Sequence, residues 1–314
     1  MSLERMAPQH AGNLIRRVVA GRKPMSIGRL AGFAVAVALG IAALYPVWLL
    51  IVNSIATETS LVRDGYLLLP QHLSFLAYTS IFDTGTVPES YFVTIFFTVI
   101  GTLLSLIITC LTAYPLSSRQ LKNRNFIAFF FYFTMLFSGG LVPTYILITE
   151  YLHLMNSIWV YIVPSLLNVW NMFVMMNYFR SIPTELYEAA RCEGASELRI
   201  LIRIVLPLSL PAIATIGLFY AVAYWGEWQQ AALYITDSNL WSLQFLILNL
   251  IDNIAIAQQI AQAGYASVSS TVALAPSETV RLATAVVTMG PIVVLFPFLQ
   301  RYFVSGLTVG AIKG

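Results

Sequence analysis

Long stretches without a single charged side chain decide what this chain can fold into. None occurs between Arg29 and Glu58, between Glu89 and Arg119, from Asn125 to Thr149, from Ser157 to Phe179, from Ile204 to Gly226, or from Leu282 to Gln300. Each run approaches or exceeds the roughly 20 residues a helix needs to cross a hydrocarbon core. The runs are too long and too uniformly apolar for the alternating strands, about 10 residues each, of a membrane barrel. The whole chain is 58% hydrophobic and 10% charged, against about 25% charged in an ordinary soluble domain. The reading is an all-α integral membrane protein with six transmembrane helices, about 30–54, 90–116, 126–149, 157–179, 207–235 and 282–303. One membrane domain covers 28–314 and follows a basic tail, 1–27.

Basic residues give the orientation. Arg5, Arg16, Arg17, Arg22, Lys23 and Arg29 precede the first span, Arg119, Lys122 and Arg124 follow the second, and Arg180, Arg191, Arg199 and Arg203 follow the fourth. Arg301 and Lys313 end the chain, and only Arg63 and Arg281 fall on the opposite face. Lys and Arg collect on the cytoplasmic side, so both termini are expected there, in a bacterial cytoplasmic (inner) membrane. The net charge of +3 is a topology signal and calls for no nucleic acid. The first apolar run is too long for the core of a signal peptide and lacks a small-x-small cleavage site. Residues 13–20 suit either an amphipathic surface helix or a disordered tail.

The same residues exclude several chemistries. Cys110 and Cys192 lie in a span and a loop, and His10, His72 and His153 are scattered, so neither a disulfide nor a metal site is expected. No Gly-x4-Gly-Lys-Ser/Thr loop exists, so ATP and Mg, if used, are bound by another chain. No catalytic constellation is present, and the chain is not expected to be an enzyme. Ion-coupled carriers place carboxylates within the bilayer, and here only Glu227 interrupts a span. An ion-coupled transporter centred on Glu227 remains the alternative.

A charged segment between the fourth and fifth spans carries the sharpest motif. Glu188-Ala189-Ala190 is followed by Gly194, then by Ile204, Leu206 and Pro207. Pro183 should stop the preceding span, Thr184 should cap a short helix over 185–192, and Gly194 should end it in the left-handed region. A second helix should start near Ser196. The spacing EAA-x3-G-x9-I-x-LP resembles the signature of ABC-importer permeases, with every position filled. FSGGLVPTYILI at 137–148, the run 159–183 and the ending FPFLQRYFVSGLTVGAIKG at 296–314 resemble the carbohydrate-uptake branch, of the LplC/YtcP-like, MalG-related kind. The resemblance covers residues 28–314. It implies a type I ABC importer permease fold, with 181–206 as the loop through which ATPase subunits drive the membrane subunit. It also implies a heterodimer with a second, homologous permease, two ATPase subunits, an extracytoplasmic solute-binding protein, and an oligosaccharide substrate, with uronates from pectin or alginate as one class. An ABC permease for a different solute is the nearer alternative.

For the substrate pathway the candidates are Tyr224, Trp225, Glu227 and Trp228 in the fifth span, with Asn168 and Asn171 in the fourth. Aromatic faces cover sugar rings, and carboxylates and amides bind hydroxyls. The alternatives are an interfacial aromatic belt for the tryptophans and helix–helix hydrogen bonds for Glu227 and the asparagines. Gly139-Gly140 with Pro143 predicts a break in the third span. Segments 55–88 and 236–281, including an apolar helix over 243–260, suit a dock for the binding protein or an outer cap.

Overall fold

The computed structural model describes residues 27–83, 85–262, 278–291 and 293. The basic tail, most of the 264–279 segment, the C-terminal part of the sixth span and the 306–314 ending lie outside the described residues. Two compact units divide the chain after Leu50. The first contributes helix α1, Ile27–Ser54, which runs through Pro46 and reaches just into the second unit.

The second unit is built around α4, Thr86–Ser117. This helix packs mainly against α8, Val169–Arg180, and α11, Leu210–Trp225. The reason is legible along one face. Phe97, Gly101, Ser105, Thr109 and Ala113 recur every fourth residue and are all buried. Small residues at that spacing let helix backbones approach closely where lipid offers no hydrophobic drive. Gly101 is the tightest point. A Cβ built there would lie 2.7 Å from Cζ of Tyr224 on α11. Below it, Ser105 Oγ and Tyr224 Oη are 2.9 Å apart, and Thr109 Oγ1 and Tyr220 Oη 2.7 Å apart. Phe97 stacks on Tyr161 with centroids 4.4 Å apart.

Three spans read as single helices are bent pairs. Helix α5, Arg124–Leu136, turns 109° into α6, Leu141–Tyr151. The predicted break is there, with Gly140 at φ +87°, a value that favours glycine. Helix α7, Trp159–Ser165, turns 52° into α8. Pro164 lies in its last, tighter turn, and Asn168 restarts the chain as N-cap, its side chain accepting Asn171 N–H. Helix α10, Glu197–Leu208, turns 84° into α11. The sequence reading began the fifth span at residue 207 and ran it unbroken to 235, which the structure corrects. Pro207 and Pro211 each lack a donor and crowd the carbonyl four residues back, and the bend falls between them at Ser209. A widened turn over Leu201–Val205 precedes Pro207. The far end of that span also stops, at Trp225, and restarts as α12, Gln229–Tyr234. By length and composition the described helices supply two spans, or up to five if each bent pair counts as one.

Among the described residues, the segments read as outer connections hold helices of their own. Helices α2, Glu58–Asp64, and α3, Leu76–Asp83, precede α4. Helix α13, Leu243–Gln262, occupies the apolar stretch expected at 243–260. A last helix, α14, covers 278–291. The Glu58 carboxylate accepts the N–H groups of Glu278 and Thr279 and the Thr279 hydroxyl, at 2.7–3.0 Å. A carboxylate at a helix N-terminus satisfies orphan donors and suits the dipole.

Candidate functional site

The EAA segment folds as a closed helix–turn–helix. Helix α9, Thr184–Cys192, ends at Gly194, φ +77°. Ala195 N–H reaches Ala190 C=O at 3.0 Å and Gly194 N–H reaches Arg191 C=O at 2.9 Å. That pair of bonds is the Schellman arrangement. Thr184 does not cap α9 as expected, because Pro183 holds the N-cap place and Thr184 is already helical. Glu188, Ala189 and Gly194 are exposed, while Ala190 turns inward. Ile204 and Leu206 are half-buried and Pro207 is exposed.

The turn is tied to α4. Arg191 Nε donates to Glu197 Oε1 at 2.8 Å, and Tyr114 Oη donates to Glu197 Oε2 at 2.6 Å. Those hydrogen bonds, the guanidinium's foremost, hold the Glu197 carboxyl below its ordinary range. Burial pushes the Tyr187 hydroxyl up, and that hydroxyl donates to Phe179 C=O at 3.2 Å. Sequence reasoning missed Tyr114 and Glu197. A tyrosine at a span's end and an acid at an unspecified position between Gly194 and Ile204 carry no spacing signal of their own.

The second site is a cavity of about 650 Å³ between α7, α8 and α11. It gathers four of the pathway candidates, Asn168, Asn171, Tyr224 and Glu227, with Tyr220, Trp170 and Phe219. Its lining carries one carboxylate and no Lys or Arg. Several of these groups also hold the frame. Asn168 N–H donates to Tyr220 Oη at 3.0 Å, and Glu227 Oε1 accepts Gln230 N–H at 2.8 Å, at the start of α12. Trp225 and Trp228 do not line the cavity. Trp225 is buried among Ala77, Ile81, Val87 and Leu243, and its Nε1 donates to Thr288 C=O at 3.3 Å. Trp228 is exposed at the N-cap of α12. Ser105 and Thr109, which position the two tyrosines, were not singled out in the sequence. Their signal was small polar residues four apart within an apolar run.

Among the described residues no group of His, Cys, Asp and Glu could hold a metal ion. Cys110 is buried, Cys192 exposed, and both are free.

The chain resembles known proteins along most of its length. Residues 90–309 match the family described as "Binding-protein-dependent transport system inner membrane component". The polygalacturonan/rhamnogalacturonan transport system permease protein YtcP of Bacillus subtilis (strain 168) is 40% identical over 84% of this chain and 90% of its own. Protein LplC of the same organism is 37% identical over 88% and 91%. A crystal structure of a bacterial ABC transporter involved in the import of the acidic polysaccharide alginate aligns with a TM-score of 0.77 at 31% identity, covering 90% of this chain and 99% of that one.

Proposed function

The chain belongs to the inner membrane components of binding-protein-dependent transport systems, and from that premise we propose that it is the permease subunit of an ATP-driven importer of oligosaccharides. The carrying observation is the EAA turn. It presents Glu188, Ala189 and Gly194 on a closed, rigid surface and is bonded to the central helix through Glu197 and Tyr114. An ATPase subunit that grips this turn moves α4, and α4 carries the serine and threonine that hold Tyr224 and Tyr220 at the cavity. In this reading the turn faces the cytoplasm. A second, homologous permease completes the pathway, two ATPase subunits bind ATP and Mg, and a solute-binding protein delivers substrate from outside.

The cavity suits a sugar chain. Trp170, Phe219, Tyr220 and Tyr224 offer ring faces, and Asn168, Asn171 and Glu227 offer hydroxyl partners. YtcP is named for polygalacturonan/rhamnogalacturonan transport and the solved transporter for import of alginate, which favours uronate-rich substrates. With one carboxylate and no basic residue in this lining, the countercharge for a uronate has to come from the second permease. The ion-coupled alternative loses ground, because the Glu227 carboxylate is engaged by Gln230 N–H in the first turn of α12.

The test is ATPase activity of the co-expressed complex in liposomes, for wild type and Glu188→Arg, with binding protein and candidate oligosaccharides. Loaded binding protein should stimulate the wild type, and the variant should lose stimulation or the ATPase itself. An ATPase that fails to associate, with Glu188→Arg silent, would end the importer reading.

A further inference from the structure

A second cavity, about 390 Å³, opens between the C-terminal ends of α4 and α8, the α4–α5 connection and α9. Four guanidinium groups line it, Arg119, Arg124, Arg180 and Arg191, with Glu188 the one carboxylate in the lining. They come from four different places in the chain, and three of them are aimed by bonds to the frame. Arg180 Nη2 donates to Leu116 C=O at 3.1 Å, Arg124 Nη1 to Ser118 C=O at 3.4 Å, and Arg191 to Glu197. Arg180 and Arg124 lie close enough to repel one another. The bonds to carbonyls neutralise no charge, so the cavity keeps a net positive balance. Like charges held together at a helix end are costly unless an anion sits among them.

We propose that this cavity binds the phosphate of an anionic phospholipid headgroup. Its place argues for a lipid. The long apolar helix α4 ends here at Ser117, and α8, the second half of the bent pair that starts at Trp159, ends here at Arg180, which puts the guanidinium groups at headgroup depth. Basic pockets between spans on the cytoplasmic side are where acidic headgroups bind. The lining includes the aromatic Tyr114 and Phe179, and Ser118 and Thr184 add hydroxyl groups, while Ser117 Oγ donates to Tyr114 C=O at 2.6 Å. Arginine forks match phosphate oxygens in pairs. The site rests on the cytoplasmic placement of the EAA turn only for which leaflet supplies the lipid. It shares Glu188 and Arg191 with that turn, so an occupied headgroup would brace the turn from the membrane side.

The experiment is native mass spectrometry of the full complex in detergent, titrated with phosphatidylglycerol, phosphatidylcholine or inorganic phosphate. Wild type should retain phosphatidylglycerol in preference to phosphatidylcholine. Arg119→Gln with Arg124→Gln should weaken retention about thirtyfold, at the energy of two surface arginines. Arg199→Gln with Arg203→Gln removes equal charge outside the lining and should leave retention unchanged. Equal retention by the first pair, or no preference over phosphatidylcholine, would overturn the site. Displacement of the lipid by millimolar inorganic phosphate would overturn the lipid as source. Basal ATPase activity read in the same samples separates this outcome from failure of the importer reading, since lipid retention needs no coupling.

Discussion

Replacing Gly101 with alanine should loosen the packing of α4 on α11 through one contact. The new methyl would sit 2.7 Å from Tyr224 Cζ and 2.9 Å from both Cε atoms. Carbon atoms prefer about 3.5–4.0 Å, so the ring has to withdraw by about 1 Å. It is not free to do so cheaply, since Tyr224 is 3% exposed and its hydroxyl meets Ser105 Oγ at 2.9 Å. Overpacking of this kind costs about 1–3 kcal/mol. Losing the interhelical hydrogen bond adds about 0.6 kcal/mol. Alanine returns about 0.8–1 kcal/mol of helix propensity. Taking these together, the loss should be about 0.6–2.8 kcal/mol, a fall in melting temperature of a few degrees for a domain this size. Two controls grade the effect by space. At Gly217 the added carbon meets the flexible end of Leu106 at 3.2 Å, and at Gly290 it meets nothing within 4 Å. Thermal denaturation of the purified complex should therefore rank Gly290→Ala mildest, then Gly217→Ala, then Gly101→Ala. In a Tyr224→Ala background Gly101→Ala should cost nothing further. Equal melting for the three glycine variants, or strict additivity with Tyr224→Ala, would refute the close-approach reasoning.

Other perturbations separate frame from site. Trp225→Ala should cost about 3–5 kcal/mol, as for a buried tryptophan, and leave the apparent KM for sugar unchanged, whereas Trp170→Ala on the cavity wall should raise KM with little change in melting. Tyr114→Phe keeps the ring and deletes the hydroxyl bonded to Glu197. ATPase assembly and basal turnover should survive, and stimulation by loaded binding protein should fall. Because the Glu197 carboxyl is held below its ordinary value, its contribution is full above the unfolded value and vanishes as pH falls through the depressed one. The melting difference between wild type and Glu197→Gln should therefore persist at neutral pH, begin to shrink near the ordinary glutamate value of about 4.3, and disappear as pH falls through the depressed one.

The apolar helices and the EAA turn could be read from the sequence because each rests on a local rule. Charge-free length marks an apolar helix, and glycine in the left-handed region ends α9 at Gly194. The break at Gly140 was announced by Gly139-Gly140 with Pro143, which interrupt an apolar helix. The bend at Ser209 was missed although Pro207 and Pro211 were both in view, because the signature suggested that the proline opens a span, when here it closes one. Trp225 and Trp228 were misplaced for a different reason. Near the end of α11 a turn of about 100° per residue decides which side chain meets the cavity and which the second core. The direction of that turn is set by packing against α4 and α14. Adjacent residues 224 and 225 thus point to different surroundings, and composition cannot separate them.

The proposed coupling needs a physical connection between Glu188 and the cavity, and α4 supplies one. Arg191 and Tyr114 converge on Glu197, which fixes the turn to one end of α4. Further along the same helix Thr109 meets Tyr220, and Tyr220 Oη in turn accepts Asn168 N–H where α7 breaks into α8. Tyr114, Thr109 and Tyr220 are themselves buried, while Glu197 is exposed and held by its two hydrogen bonds. By contrast α5 buries none of its side chains. A force applied at the turn should thus reach the cavity wall through α4 as a rigid body, and α5 should follow lipid or the second permease. This is why the hydroxyl of Tyr114, which bonds Glu197 and does not line the cavity that holds Tyr224 and Glu227, is the sharper place to cut the connection. A variant at Glu188 removes the grip of the ATPase and leaves these bonds in place, and so tests the grip and not the connection.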